Sequence, residues 1–238
     1  MKKNLVILSG AGISAESGIK TFRDSDGLWE NYSVEEVCTY DAWLNNPSLV
    51  LDFYNHRRSE LDRVKPNKAH LLVAELEKYY SVTVITQNID NLHERAGSTN
   101  VVHLHGELTK ARSTADSKLL YEIGTKPIHL GDLCEKKSQL RPHIVWFGEE
   151  VPMIEKAATI VEMADILIII GTSLIVYPAA GLMMYRPSHC RTWYIDPKPD
   201  SKRVPNNIQV VAKTASEGLA EIMPELVKNN GPKSLKNS

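Results

Sequence analysis

An α/β fold built on a doubly wound parallel sheet is predicted by three observations. Short β-branched runs alternate with helical patterns along the 238 residues. The runs are almost continuously apolar, so both faces of each strand must be covered. The first run also passes directly into a glycine turn, at Gly10 and Gly12. The runs occupy residues 5–9, 82–86, 100–104, 143–147, 166–170, 192–195 and 208–212. Pro47 opens a helix through Phe53 and Tyr54 to Leu61, Pro66 or Asn67 opens one through Leu71, Leu72 and Leu76, and Pro152 opens one through Ile154, Ala158 and Val161. A last helix covers 215–227, with a bend at Pro224.

Two stretches leave the alternation and return to it. Residues 20–65 carry aromatics and charges without a clear strand, and residues 107–140 are polar, irregular and lysine-rich. They read as two insertions that pack together into a smaller helical domain. The larger domain then consists of 1–19, 66–106 and 141–228, with a cleft between the two. Residues 229–238 have no apolar anchor and read as a disordered tail.

Composition narrows the classes of function. With 42% hydrophobic and 24% charged residues and a net charge of -1, nothing attracts nucleic acid or anionic lipid in bulk, so neither partner is expected. The apolar run Leu5 to Leu8 stops at Ser9, short of the ~7 to 15 residues of a secretory core. Residues 164–184 are interrupted by Asp165, Gly171 and Pro178, so they cannot supply the ~20 apolar residues of a membrane span. Cys38, Cys134 and Cys190 are odd in number and far apart, as reduced thiols would be. A cytoplasmic monomer is the expectation.

Gly10, Gly12 and Ala15 fit a relaxed dinucleotide fingerprint at a strand-to-helix turn, which makes the larger domain Rossmann-like. Glycines let backbone approach a pyrophosphate, whose charge faces the N–H groups at the start of the following helix. A tight turn without ligand stays open on these residues alone. A second strand ending in an acid, expected about 20 positions on in an ordinary dinucleotide fold, is missing. The chain instead enters Thr21, Phe22, Arg23 and then Trp29.

Further segments are more specific: Gln87-Asn88-Ile89-Asp90, His105-Gly106, Arg141 through Val145, Phe147-Gly148-Glu149, Gly171-Thr172-Ser173, and Tyr54 with Arg57. Together with the turn and Phe22-Arg23, in this order over nearly the whole chain, they resemble the sirtuins, NAD-dependent protein lysine deacylases. The resemblance implies NAD as co-substrate, acyl-lysine proteins as partners, and nicotinamide, deacylated lysine and O-acyl-ADP-ribose as products. It makes His105 the general base and Asn88 its catalytic companion. His103, two residues earlier, is expected to face the other side of the strand in a structural role.

The same likeness assigns NAD contacts to Gly10, Ala11, Gly12, Ile13, Ser14, Ala15, Thr21, Phe22, Arg23, Trp29, Gln87, Asn88, Ile89, Asp90, Gly171, Thr172, Ser173, Asp196, Pro197, Lys198 and Ala215. It assigns the lysine tunnel to Val145 and Phe147, and backbone pairing with a substrate peptide to Phe147, Gly148 and Glu149. Tyr54 and Arg57 lie three apart, on one helix face. They match the bacterial class that takes succinyl- or malonyl-lysine, where such a pair grips the distal carboxylate. Cys38 stands where that class usually has alanine. The four positions where most sirtuins carry zinc cysteines are Ser113, Asp116, Gly131 and Cys134, so no zinc is expected. The insertion would then be held by Leu119, Leu120, Tyr121, Ile123 and Leu130. An NAD-dependent ADP-ribosyltransferase or NAD hydrolase would share nearly all these residues and is the alternative.

Overall fold

The computed structural model describes residues 2–21, 28–29 and 32–230; Phe22 and Arg23 lie outside this set. In chain order the strands are β1 (Asn4–Ser9), β2 (Leu28–Trp29), β3 (Tyr32–Ser33), β4 (Ser81–Thr86), β5 (Val101–His103), β6 (Gly106–Ser113), β7 (Leu120–Glu122), β8 (Leu140–Ile144), β9 (Ile166–Ile170), β10 (Arg191–Ile195) and β11 (Gln209–Val211). The helices are α1 (Gly12–Ala15), α2 (Val34–Val37), α3 (Tyr40–Asn45), α4 (Pro47–Glu60), α5 (Lys68–Glu75), α6 (Leu92–Arg95), α7 (Ile154–Glu162) and α8 (Ala215–Asn230).

Six strands form one parallel sheet in the order β11-β10-β9-β1-β4-β5. The chain runs outward from β1 through β4 to β5, then restarts at β9 and runs the other way. The reversal between β1 and β9 creates the crevice in which doubly wound sheets bind ligands. Alternate residues of the same strand feed opposite cores. Leu5, Ile7, Val84, Ile168 and Trp193 pack with Ala69 and Val73 of α5 and Leu219 of α8. Val6, Leu8, Ile85, Leu167 and Tyr194 pack with Ala157 and Val161 of α7 and Leu182 beyond β9. Two-sided burial explains why these strands read as unbroken apolar runs.

The apolar run at 143–147 does not join this sheet. The strand there is β8, shifted to Leu140–Ile144 and paired antiparallel with β6 in a separate sheet of order β7-β6-β8. Residues 107–140, expected to be irregular, supply most of that sheet. Leu108 and Ala111 point inward among charged neighbours, and a register shift between Glu107 and Ala111 breaks the alternation that would have exposed the strand in the sequence. This sheet shares a core with the first insertion: Leu108, Ala111, Ile128, Ile144 and Trp146 pack on Val50, Phe53 and Tyr54. Tyr121 and Ile123 lie against this core, whereas Leu120 and Leu130, expected within it, are exposed. The fully buried Arg58 of α4 donates from Nε to Leu108 O at 2.6 Å and from Nη1 to Asn55 Oδ1 at 2.7 Å. Asn55 closes the joint with two bonds to the Ile128 backbone. Helix α8 contains Pro224 and runs to Asn230, so residues 229 and 230 are helical where a disordered tail was expected.

The reversal point depends on an unusually close backbone contact. Gly12 N donates to Gly171 O at 2.8 Å, and a Cβ on Gly12 would lie 2.7 Å from Gly171 Cα. Gly171 has φ +62° and would place its own Cβ 2.3 Å from Ile13 N. Gly171→Ala is therefore expected to lower stability by at least about 2 kcal/mol, read as a lower urea midpoint at unchanged slope.

Candidate active site

The glycine turn closes the end of β1 and is itself well bonded. Gly10 N donates to Ile170 O, Gly12 N to Gly171 O, Ile13 N to Gly10 O and Ser14 N to Ala11 O. Helix α1 ends at Ala15 after a single turn, so its dipole is small and several N–H groups sought for a phosphate serve the turn itself. What the turn offers is bare backbone at the crevice. Half-buried Thr21 follows it. Ala215, at the start of α8, is brought close because Ser216 N donates to Glu16 Oε2 at 2.9 Å. Gly171, Thr172 and half-buried Ser173 leave β9 opposite the turn. Asp196, one residue past β10, is buried and accepts from Lys198 N at 2.9 Å, with Pro197 and Lys198 exposed. Of Trp29, only its backbone in β2 is described.

Gln87 through Asp90 leave β4 and are held from every side. Gln87 N donates to Ser9 O, and its side-chain amide donates to Thr172 Oγ1 at 3.1 Å. Asn88 N donates to Thr86 Oγ1 and Asn88 Nδ2 to Ser14 Oγ, both at 3.0 Å. Leu108 N donates to Ile89 O, and Asp90 accepts from Ser14 Oγ and Leu92 N. Ser14 thus ties the turn to this segment. Burial raises the Asp90 carboxyl, while the Leu92 and Ser14 donors pull it back.

His105 Nδ1 lies 3.0 Å from Gln87 O. A carbonyl can only accept, so Nδ1 carries the proton and Nε2 keeps a lone pair. Burial lowers the ring's pKa, against the Gln87 hydrogen bond, which favours a neutral imidazole able to take a proton. His103 does not face the other way. Residues two apart share a strand face, and its Nδ1 lies 2.9 Å from Asn88 O.

Beneath the site lies a buried polar layer that the sequence pattern did not reveal. His70 Nδ1 accepts from Asn67 N, which leaves Nε2–H toward Ser14 Oγ at 3.4 Å. Ser9 Oγ donates to Thr86 Oγ1 at 2.9 Å and so accepts from His93 Nε2 at 3.0 Å. Burial lowers His70 to about 4 and holds His93 well below its ordinary value. Both rings are neutral spacers at physiological pH. The signal available was Asn67 followed three residues later by His70, a reciprocal helix cap.

Next to His105, Val145 N donates to His105 O at 2.9 Å and Phe147 N to Cys38 O at 2.9 Å. Phe147 and Gly148 are exposed, while Glu149 N turns back to Trp146 O. The Glu149 carboxylate faces the protein. It accepts from Arg141 Nη1 at 2.7 Å and Nη2 at 2.9 Å, from Arg112 and from Trp146 N. Burial alone would raise its pKa, yet these donors and the two guanidinium charges hold it low. Tyr54 is buried, accepts from Trp146 Nε1 at 3.0 Å and donates to Cys38 Sγ at 3.7 Å. Buried Arg57 contacts Glu60 at 3.7 Å and lines a small pocket with Ile19, Ile89, Asp90 and Leu108.

At the positions that match the zinc cysteines of most sirtuins, Cys134 Sγ donates to Ser113 Oγ at 3.2 Å and Asp116 pairs with Lys136 at 2.7 Å. Among the described residues no group of three or more His, Cys, Asp or Glu side chains could hold a metal ion. No described helix is long and apolar enough to cross a membrane.

Fold and site together define a doubly wound nucleotide-binding protein. Bare glycine backbone, a carboxylate closing β10 and amide side chains around the crevice fit a dinucleotide. A Sir2 family model matches residues 10–178, and the chain belongs to that family. It is 55% identical over 226 residues to a Helicobacter pylori protein named NAD-dependent protein deacylase, covering 95% of this chain and 98% of the relative. A Bacteroides thetaiotaomicron protein of the same name is 55% identical over 230 residues, covering 94% and 98%. A crystal structure of a Sir2 homologue in complex with NAD superposes with TM-score 0.85 at 39% identity, covering 96% of this chain and 91% of that one.

The Glu149 carboxylate anchors the loop that carries Phe147 and Gly148. Glu149→Gln should cost about 2 to 4 kcal/mol, because the buried Arg141 loses its counter-charge. The low carboxyl pKa gives stability present above the unfolded value of about 4.3 and lost as pH falls through the folded one. Wild type and variant should therefore converge in urea midpoint under strongly acidic conditions.

Proposed function

We propose that the protein is an NAD-dependent protein lysine deacylase that removes acetyl groups and, through Tyr54 and Arg57, succinyl and malonyl groups. The observation that carries this reading is His105, whose Nδ1 is fixed by Gln87 O so that Nε2 is left as a base. NAD supplies the ADP-ribose that receives the acyl group as nicotinamide leaves. His105 takes the proton of a ribose hydroxyl at Nε2. Asn88, Gln87 and Asp90 orient the nicotinamide ribose and carboxamide, with Phe22 and Arg23 assigned to the reacting carbon and the phosphates by family likeness. The glycine turn, with Ala11, Ile13 and Ser14, receives the pyrophosphate. Thr172, Ser173, Asp196 and Ala215 receive the adenosine end. Val145 and Phe147 line the lysine tunnel, and the exposed Phe147–Gly148 segment receives the peptide. We further propose the domain division given above, with residues 20–65 and 107–140 as the smaller domain, and a cytoplasmic monomer without zinc.

For acidic acyl groups, the Tyr54 hydroxyl exchanges its weak Cys38 acceptor for the substrate carboxylate, and Arg57 supplies the charge. Arg57→Met should lower turnover of succinyl- and malonyl-lysine peptides about 10- to 100-fold and leave acetyl-lysine turnover within a few-fold. Equal losses for all three acyl groups would remove the clamp.

His105→Tyr should abolish nicotinamide release coupled to deacylation, followed by mass spectrometry of peptide and nucleotide products. In the wild type, burial lowers the pKa of His105, so the acidic fall of kcat/KM should lie at lower pH than an ordinary imidazole would give. NAD loss with free ADP-ribose or modified protein, and no deacylated peptide, would replace this reading with a hydrolase or ADP-ribosyltransferase.

A further inference from the structure

We infer that His103 and Glu94 form an ionic positioning pair that fixes the Asn88 peptide from behind and gives NAD turnover an alkaline limit. His103 closes β5, with Nδ1 2.9 Å from Asn88 O and Nε2 2.8 Å from Glu94 Oε1. Neither oxygen brings a proton when Glu94 is ionised. Both ring nitrogens can donate only if the imidazole is positively charged. The His103 side chain is 7% exposed and that of Glu94 40%, so the charge sits just inside the surface with its counter-charge at the rim.

The surrounding charges agree with that state. Glu94 and His93 face the ring from α6, Asp90 from the segment before it, and Glu107 from β6. Lys110 acts on Glu94 from β6. Burial works against the charged ring, but the Glu94 bond and charge, the Asn88 carbonyl and Glu107 outweigh it and raise its pKa. His103 and His105 thus bond to successive carbonyls, Asn88 and Gln87, in opposite states: one charged and anchoring, the other neutral with a free lone pair.

As pH rises through the raised pKa of His103, the ring loses one proton. The charge-assisted bond to the Glu94 carboxylate keeps the remaining proton on Nε2, so the Nδ1 lone pair meets Asn88 O and that contact turns repulsive. Asn88 keeps its bonds to Thr86 and Ser14 but loses the hold on its carbonyl. His103 acts only through Asn88, so its loss should appear in the use of NAD and not in the affinity for acyl peptide.

This inference rests on the NAD-consuming reading above, and the experiment separates the two. The pH dependence of kcat/KM for NAD, with an acetyl-lysine peptide, would be measured for wild type, Glu94→Gln, His103→Gln and His103→Leu. The His103 ring and the Ile89 amide would be titrated by NMR in the same proteins. In the wild type, the alkaline fall of kcat/KM, the ring titration and an Ile89 amide shift should share one midpoint. Glu94→Gln should move all three to lower pH, by about one unit. His103→Gln, whose amide can donate to Asn88 at every pH, should abolish that limb and keep most activity. His103→Leu should lose about tenfold in kcat/KM for NAD with an unchanged KM for peptide. A ring titration that moves in Glu94→Gln while the activity limb stays would overturn the inference. So would an Ile89 amide that ignores the ring. A wild type without NAD turnover counts against the parent reading, and the Ile89 shift still decides the positioning pair.

Discussion

The contact between Gly12 and Gly171 is the constraint on which the site depends. Two strand ends, β1 and β9, meet where the sheet reverses direction, and they meet backbone to backbone with no room for a Cβ on either side. That closeness lets Gly12 N reach Gly171 O and fixes the turn without any help from a long helix. The resulting crevice floor is bare backbone, which a bulky anionic ligand can approach. Most of the turn's N–H groups are consumed in its own construction, so its contribution is shape more than charge.

The segment from Gln87 to Asp90 is fixed relative to that floor by side chains from neighbouring strands. Thr172 reaches it from the segment after β9, Ser14 from the turn, and His103 and His105 from the end of β5 and just beyond it. A short polar stretch carries almost no hydrophobic energy of its own, so its position must come from hydrogen bonds in a nearly dry environment, where each is stronger and each omission costs more. The neutral His70 and His93 fit this design. Each donates one hydrogen bond from Nε2 to a serine hydroxyl and adds no charge under the crevice.

The smaller sheet shows how the second insertion holds its shape through packing and polar joints. Arg58, fully buried, is bound by a carbonyl and an amide instead of a carboxylate, and burial lowers its pKa to about 10. Through Leu108 O it couples α4 to β6, the strand that begins one residue after His105. The Phe147–Gly148 loop is coupled to the same core by Glu149, Arg141 and Trp146, whose ring lies 3.4 Å beneath the Arg141 guanidinium. Tyr54, the Phe147–Gly148 loop and His105 therefore share one scaffold.

The sequence by itself determined the central sheet, because strands buried on both faces must be apolar at every position, and the glycine turn, because only glycine tolerates such contact. It also marked His105, Asn88 and the residues around them as a group. Only the tertiary structure decided that residues 140–144 pair antiparallel with β6, since strand direction leaves no local trace and the register shift at Glu107 to Ala111 hid the alternation. Only the folded chain turned the Glu149 carboxylate inward, gave the Tyr54 hydroxyl to Trp146 and Cys38, and set His103 beside His105 on the same carbonyl-bearing segment. Strand periodicity states which face a side chain takes, but not which distant atoms await it there; hydrogen-bond partners separated by tens of residues are chosen by packing.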